Sequence, residues 1–186
     1  MSSGTFGPTA IATPANALTM IRVVATPILL IMVMSEGPTW GALAVWVGVV
    51  ATDAADGYVA RRQGQTRSGA FLDPLADKVL VVGVMAALVV KSRLWWPPVV
   101  VIGMREVIVS GYRSWVGRRG VSVPARPWAK VKTVVQDLAV GMALAPPQSP
   151  TYRHFVAGLL WVAVALTVVT GAQYLIDGRR QVVRAV

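Results

Sequence analysis

The sequence contains no cysteine, a single histidine and only eight acidic residues among 186. The lack of cysteine excludes disulfides, thiol nucleophiles and thiolate metal ligands. Charged residues make up 14% of the chain, whereas a soluble domain has about 25%. Together with 55% hydrophobic residues and a mean hydropathy of +0.59, this scarcity of charge predicts an integral membrane protein of one domain.

The few charges that are present are mostly positive, with a formal net charge of +10. In a soluble protein this excess would suggest nucleic acid as a partner. In an apolar chain it indicates contact with anionic lipid headgroups and a cytoplasmic location of the basic loops, so we expect no nucleic acid.

Six apolar segments of sufficient length to cross a ~30 Å hydrocarbon core follow one another along the chain. They predict an all-α integral membrane fold with six transmembrane helices, in a catalytic domain over residues 15–176. A flexible cytoplasmic tail over 1–14, with no signal-peptide pattern, and a basic cytoplasmic tail over 177–186 would flank it. The predicted spans are 17–34, 39–58, 74–90, 99–115, 131–145 and 155–175.

Basic residues are distributed unevenly over the loops that these spans would leave. If the loop after the second span is cytoplasmic, twelve basic residues fall on the inside, counting Arg113 and Lys132 at the ends of their spans, and three fall outside. This asymmetry predicts that the 61–73 loop faces the cytoplasm of a bacterial-type inner membrane. Arg22 lies within the first span, where it would either face the bundle interior or extend to the headgroups.

Four of the eight acidic residues fall within residues 53–77. Asp53 and Asp56 are three positions apart and Asp73 and Asp77 are four apart, so each pair shares one face of a helix. Four carboxylates beside apolar segments need cations to compensate them, and hard oxygen ligands favour Mg²⁺ or Mn²⁺. Pro74 predicts a helix that begins there, with Asp73 as its N-cap.

Small residues accompany the first aspartate pair. Gly57 and Ala60 would leave a helix face open to a bulky ligand. Arg61 offers the planar fork of donors that suits phosphate oxygens. The segment therefore combines a metal site with a phosphate site.

At these residues the chain resembles the CDP-alcohol phosphotransferase family, whose signature is D-x-x-D-G-x-x-A-R, a spacer, and G-x-x-x-D-x-x-x-D. Seven residues separate Arg61 from Gly69, where many members have eight, which leaves the alignment of the loop open. The fixed positions that match are Asp53, Asp56, Gly57, Ala60, Arg61, Gly69, Asp73 and Asp77.

The resemblance implies transfer of a phosphatidyl group from CDP-diacylglycerol to an alcohol, with two bound Mg²⁺ or Mn²⁺ ions and release of CMP. It implies that all four aspartates bind metal and that Asp77 is also the catalytic base. It further implies a homodimer embedded in membrane lipids. The residues that would border the CDP-lipid are Gly57, Ala60, Arg61, Thr66, Gly69, Asn16 and Thr19.

A second group of charges bears on the acceptor alcohol. Arg105 and Arg113 are eight positions apart and share a helix face, and Lys130 and Lys132 open the next span. Four cations suggest an acceptor that carries a phosphate. The stretches R-E-V-I-V-S-G-Y-R-S-W and K-V-K-T resemble the phosphatidylglycerophosphate synthase branch of the family, which uses sn-glycerol 3-phosphate.

Other interpretations of these residues stay open at this point. The basic cluster could be topological only, and Arg105 could form a purely structural ion pair with Glu106. Within the family, phosphatidylinositol-phosphate synthase uses a different acceptor. In another class, a divalent-cation transporter would use the aspartates as an intramembrane site.

Overall fold

The computed structural model describes residues 14–63, 69–118, 127–146 and 149–184. All regular structure in these ranges is helical, which confirms the predicted all-α class and the predicted number of helices. The helices are α1 (Pro14–Glu36), α2 (Trp40–Gln63), α3 (Gly69–Val90), α4 (Trp96–Arg118), α5 (Pro127–Leu144) and α6 (Pro150–Arg184).

Most helices extend beyond the predicted spans, and two of these differences change the sequence interpretation. Helix α3 begins at Gly69, so Asp73 lies inside the helix and the prediction that it is the N-cap was wrong. Pro74 is the sixth residue of α3, so it removes the hydrogen bond that its N–H would otherwise donate to the Ala70 carbonyl. Helix α6 continues to Arg184, so most of the predicted basic tail is helical.

The described chain forms two compact units. The first extends to Ser92 and includes residues 144–146, and the second comprises the remaining described residues from Arg93 onward.

In the first unit, α1 packs against both α2 and α3. Gly37, with a φ of 77°, ends the α1 turn, and the Thr39 hydroxyl accepts a hydrogen bond from the Ala42 N–H at 3.1 Å as the cap of α2. The buried stripe of α1 has helical spacing, as expected for a helix that packs against two neighbours. This stripe comprises Arg22, Ala25, Thr26, Leu29 and Val33.

In the second unit, α4 and α6 run in the same direction. Three contacts along them join residues 66 positions apart: Trp95 with Trp161, Arg105 with Gly171, and Tyr112 with Gly178. A constant offset of this kind requires parallel helices. Helix α5, which lies between α4 and α6 in the sequence, therefore carries the chain back to the level at which α4 begins.

Many large apolar side chains point away from the described cores. They include Val107, which is 74% exposed, Val90 at 67% and Ile31 at 65%. By length and composition, one helix among the described residues could cross a membrane, Pro150–Gln181, and a shorter apolar stretch covers Trp40–Thr52. The predicted crossing by all six helices stays a prediction.

Candidate functional site

The signature residues lie on α2 and α3, which both pack on α1. Of the four aspartates, only Asp77 has a described side chain; it is half-buried and has an interaction partner. Thr66 lies outside the described residues. For the remaining predicted residues the structure describes the backbone alone: Asn16 and Thr19 on α1, Asp53, Asp56, Gly57, Ala60 and Arg61 on α2, and Gly69 and Asp73 on α3.

The donor chemistry of this segment fits a hard divalent cation. It offers four carboxylates and no sulfur or imidazole ligand. Among the side chains that the structure describes, no three His, Asp or Glu residues come together, because only Asp77 of the four belongs to that set. Convergence of the four carboxylates on metal ions stays a prediction.

Arg22 lies on α1 and is only 2% exposed. It belongs to the buried stripe of that helix, and Thr26 one turn later donates its hydroxyl to the Arg22 carbonyl at 2.7 Å. A guanidinium that extended to the headgroups would be exposed. Of the two orientations that the sequence allowed, the structure has Arg22 facing the bundle interior.

The predicted acceptor residues lie in the second unit, where α4 and α5 bring two of them together. One carboxylate oxygen, Glu106 Oε1, lies 2.9 Å from Arg105 Nη1 and 2.5 Å from Lys132 Nζ. The side chains of Arg105, Glu106 and Lys132 are 17%, 11% and 7% exposed. Because these three groups carry two positive charges and one negative, they leave one positive charge in a largely buried position.

Helix α6 supports Arg105 from the other side. Its Nη2 donates to Thr170 Oγ1 at 3.3 Å, and Gly171 allows the close approach, since a Cβ there would lie 3.2 Å from Arg105 Cγ. The Nε of Arg105 is buried without a hydrogen-bond acceptor. The only partner of the Lys132 ammonium within the described residues is Glu106, so two of its three N–H donors are unused.

Arg113 and Lys130 lie in more open surroundings. Arg113 is exposed, with its guanidinium carbon 5.4 Å from the centre of the Tyr174 ring and its Nε 3.4 Å from the Tyr174 hydroxyl. As predicted, Arg105 and Arg113 share one side of α4, because both contact α6. Lys130 is exposed and has no ion-pair partner among the described residues.

Sequence reasoning considered Glu106 only as a partner of its neighbour Arg105. The structure adds the bond from Lys132, 26 positions away, and the support from Thr170, 65 positions from Arg105. No sequence pattern indicates either contact, since both join different helices.

Comparison with known proteins agrees with the signature. Residues 12–169 match the family described as CDP-alcohol phosphatidyltransferase. A probable phosphatidylglycerophosphate synthase of Mycobacterium tuberculosis (strain H37Rv) is 36% identical over 178 residues, which is 92% of this chain and 84% of that protein. The CDP-diacylglycerol–glycerol-3-phosphate 3-phosphatidyltransferases of Escherichia coli (strain K12) and Rickettsia bellii are 37% and 36% identical; they cover 87% and 86% of this chain, and the chain covers 92% and 91% of them. The predicted resemblance is thereby confirmed, and the chain belongs to the CDP-alcohol phosphatidyltransferase family.

Proposed function

We propose that this protein is a transferase that makes phosphatidylglycerophosphate and CMP from CDP-diacylglycerol and sn-glycerol 3-phosphate. The observation that carries the choice of acceptor is the buried group Arg105–Glu106–Lys132 with its excess positive charge. Relatives at 36–37% identity that are named for this reaction support the same assignment.

The chemistry belongs to the aspartate segment. An acceptor hydroxyl oxygen attacks the lipid-side phosphorus of CDP-diacylglycerol, and Asp77 takes the hydroxyl proton. A new P–O bond forms as the pyrophosphate P–O bond breaks, and CMP departs with the electron pair. Two Mg²⁺ or Mn²⁺ ions, held by Asp53, Asp56, Asp73 and Asp77, would supply charge neutralisation at the pyrophosphate.

The CDP-lipid is held by residues that bind without reacting. Gly57 and Ala60 leave room for the cytidine part, and Arg61 pairs with a phosphate oxygen. We assign Thr66, Gly69, Asn16 and Thr19 to the same CDP-lipid-binding group.

The acceptor phosphate is bound by Arg105 and Lys132, and Arg113 adds positive charge on the same side of α4. Lys130, which the sequence pattern placed in the same group, is exposed, and we leave it out of this site. Glu106 orients both cations through one oxygen but neutralises only one of them. A phosphate dianion would accept hydrogen bonds from the two unused Lys132 donors and the unused Arg105 donors. An uncharged alcohol would leave the excess charge buried and uncompensated, which is costly.

A lipid substrate requires a membrane setting, which the exposed apolar side chains of the helices also support. We propose that all six helices enter the bilayer, with the aspartate segment on the cytoplasmic side. The protein would act as a homodimer.

The test is CMP release by purified protein with CDP-diacylglycerol and a panel of acceptors. Glycerol 3-phosphate is expected to support turnover, and glycerol, free inositol and serine are not. Turnover that is faster with inositol phosphate would reassign the acceptor within the family. The absence of CMP release with every alcohol, in the presence of Mg²⁺ or Mn²⁺, would refute the proposed activity.

A further inference from the structure

A permanently charged side chain is buried in the first unit. Arg22 is 2% exposed and begins the core-facing stripe of α1. A guanidinium in such a position is unfavourable unless negative charge lies nearby. The question is therefore which acidic groups of the same unit compensate it.

Five acidic residues belong to this unit, namely Glu36 and the four aspartates. Glu36 is exposed and lies at the opposite end of α1. It is fourteen residues from Arg22, or about 21 Å along the helix. Within the unit, the aspartates are the remaining source of compensating charge.

Helix register puts Arg22 at the level of those aspartates. A Cβ built on Gly83 of α3 would lie 3.6 Å from Leu30, and one built on Gly41 of α2 would lie 3.1 Å from Met32. These two contacts give the relative heights of the three helices. From these heights we identify the residues of α2 and α3 that lie at the same height as Arg22.

Because α1 and α2 are joined by a three-residue turn and α2 and α3 by five residues, α3 runs in the direction of α1. Arg22 lies about 12 Å before Leu30. On α3, the point about 12 Å before Gly83 lies between Asp73 and Asp77. On α2, which runs in the opposite direction, the matching point lies ten residues beyond Gly41, at Ala51, two residues before Asp53.

We propose that Arg22 is a built-in counter-charge of the aspartate site. Before metal binds, the positive charge of Arg22 offsets the repulsion among the four carboxylates. Because Arg22 also repels the incoming divalent cation, it lowers the affinity of the carboxylates for the metal. Arg22 is thus a positioning residue that keeps metal exchange possible in a strongly acidic site. This inference rests on the metal site proposed above.

The experiment measures Mn²⁺ binding to purified protein by electron paramagnetic resonance of the free ion, without substrate. Arg22→Gln is expected to bind Mn²⁺ on the order of 10-fold more tightly than wild type, because a unit charge no longer opposes a divalent ion nearby. The rise in thermal unfolding midpoint on adding Mn²⁺ is expected to be larger as well. Arg22→Lys keeps the charge and is expected to match wild type, as is Arg153→Gln, which alters an exposed arginine.

The outcomes test the metal site and the role of Arg22 separately. Wild-type protein that binds no Mn²⁺ would refute the metal site itself. Wild-type binding with equal or weaker binding by Arg22→Gln would overturn the role of Arg22 alone. If Arg22→Gln does not fold, the double variant Arg22→Gln with Asp73→Asn removes one charge of each sign and is expected to fold; its failure would also overturn the inference.

Discussion

The replacement of Lys132 by methionine separates an acceptor site from a structural ion pair. Methionine has nearly the length of lysine and no charge, so it keeps the packing of a side chain that is 7% exposed. It removes the two donors that we assign to the acceptor phosphate. It also leaves Glu106 paired with Arg105.

The size of the effect follows from burial. A desolvated, charge-assisted hydrogen bond contributes about 1.5–3 kcal/mol, whereas an exposed charge contributes at most ~1 kcal/mol. We therefore expect Lys132→Met to raise the KM for glycerol 3-phosphate, or lower kcat/KM, by about 10- to 150-fold. The exposed Lys130, changed to methionine in the same way, is expected to alter these values by less than about 5-fold.

The assay measures CMP release, first at saturating CDP-diacylglycerol with glycerol 3-phosphate varied. It is then repeated at saturating glycerol 3-phosphate with CDP-diacylglycerol varied. The KM for CDP-diacylglycerol is expected to stay within about 2-fold of wild type. A thermal unfolding midpoint measured in the same detergent reports the structural cost. Because Glu106 stays paired with Arg105, this cost is expected to lie below the ~3–5 kcal/mol of a buried charge that is left without a partner.

Combining Lys132→Met with Glu106→Gln distinguishes stability from binding. The double variant leaves Arg105 buried without its carboxylate partner, so its unfolding midpoint is expected to fall below that of Lys132→Met while its acceptor KM stays high. Wild-type acceptor kinetics in Lys132→Met would refute the phosphate site. An acceptor KM that returns to the wild-type value in the double variant would mean that Lys132 acts only through the net charge of the cluster and does not bind the phosphate itself.

Three further predictions follow from the same residues. Asp77→Asn is expected to reduce the rate of CMP release to less than a tenth, because an amide cannot accept the proton; a higher residual rate would exclude Asp77 as the sole base. Chelation of divalent ions is expected to abolish CMP release and added Mg²⁺ or Mn²⁺ to restore it, whereas full activity in metal-free buffer would contradict the two-metal mechanism. Gly178→Ala is expected to destabilise the protein by about 1–3 kcal/mol, because its Cβ would lie 2.5 Å from the Tyr112 ring. Gly158→Ala, where a Cβ meets no atom within 4 Å, is the control, and equal unfolding midpoints for the two variants would show that the ring moves aside without cost.

The helices and the family were predictable because their signals are local. Apolar segments bounded by turn residues predicted six helices, and the structure has six in its described part. The spacing of the aspartates, Gly57 and Arg61 carried the family resemblance, since a signature of fixed positions can be read without knowing the fold. The start of α3 was missed because Pro74 was taken for the first residue of the helix, when it lies one turn inside it.

The sequence by itself determined the composition of the site: four carboxylates, an adjacent arginine and a separate group of cations. Only the tertiary structure decided which charges are buried and which are paired. Arg22 could have faced either lipid headgroups or the core, and Lys132 could have been as exposed as Lys130. The physical reason is that burial depends on the helix that packs against a given face. The interaction energy between two charges is several-fold larger in the protein interior than in water. The packing between helices therefore decides how strongly each charge can act on a substrate or a metal ion.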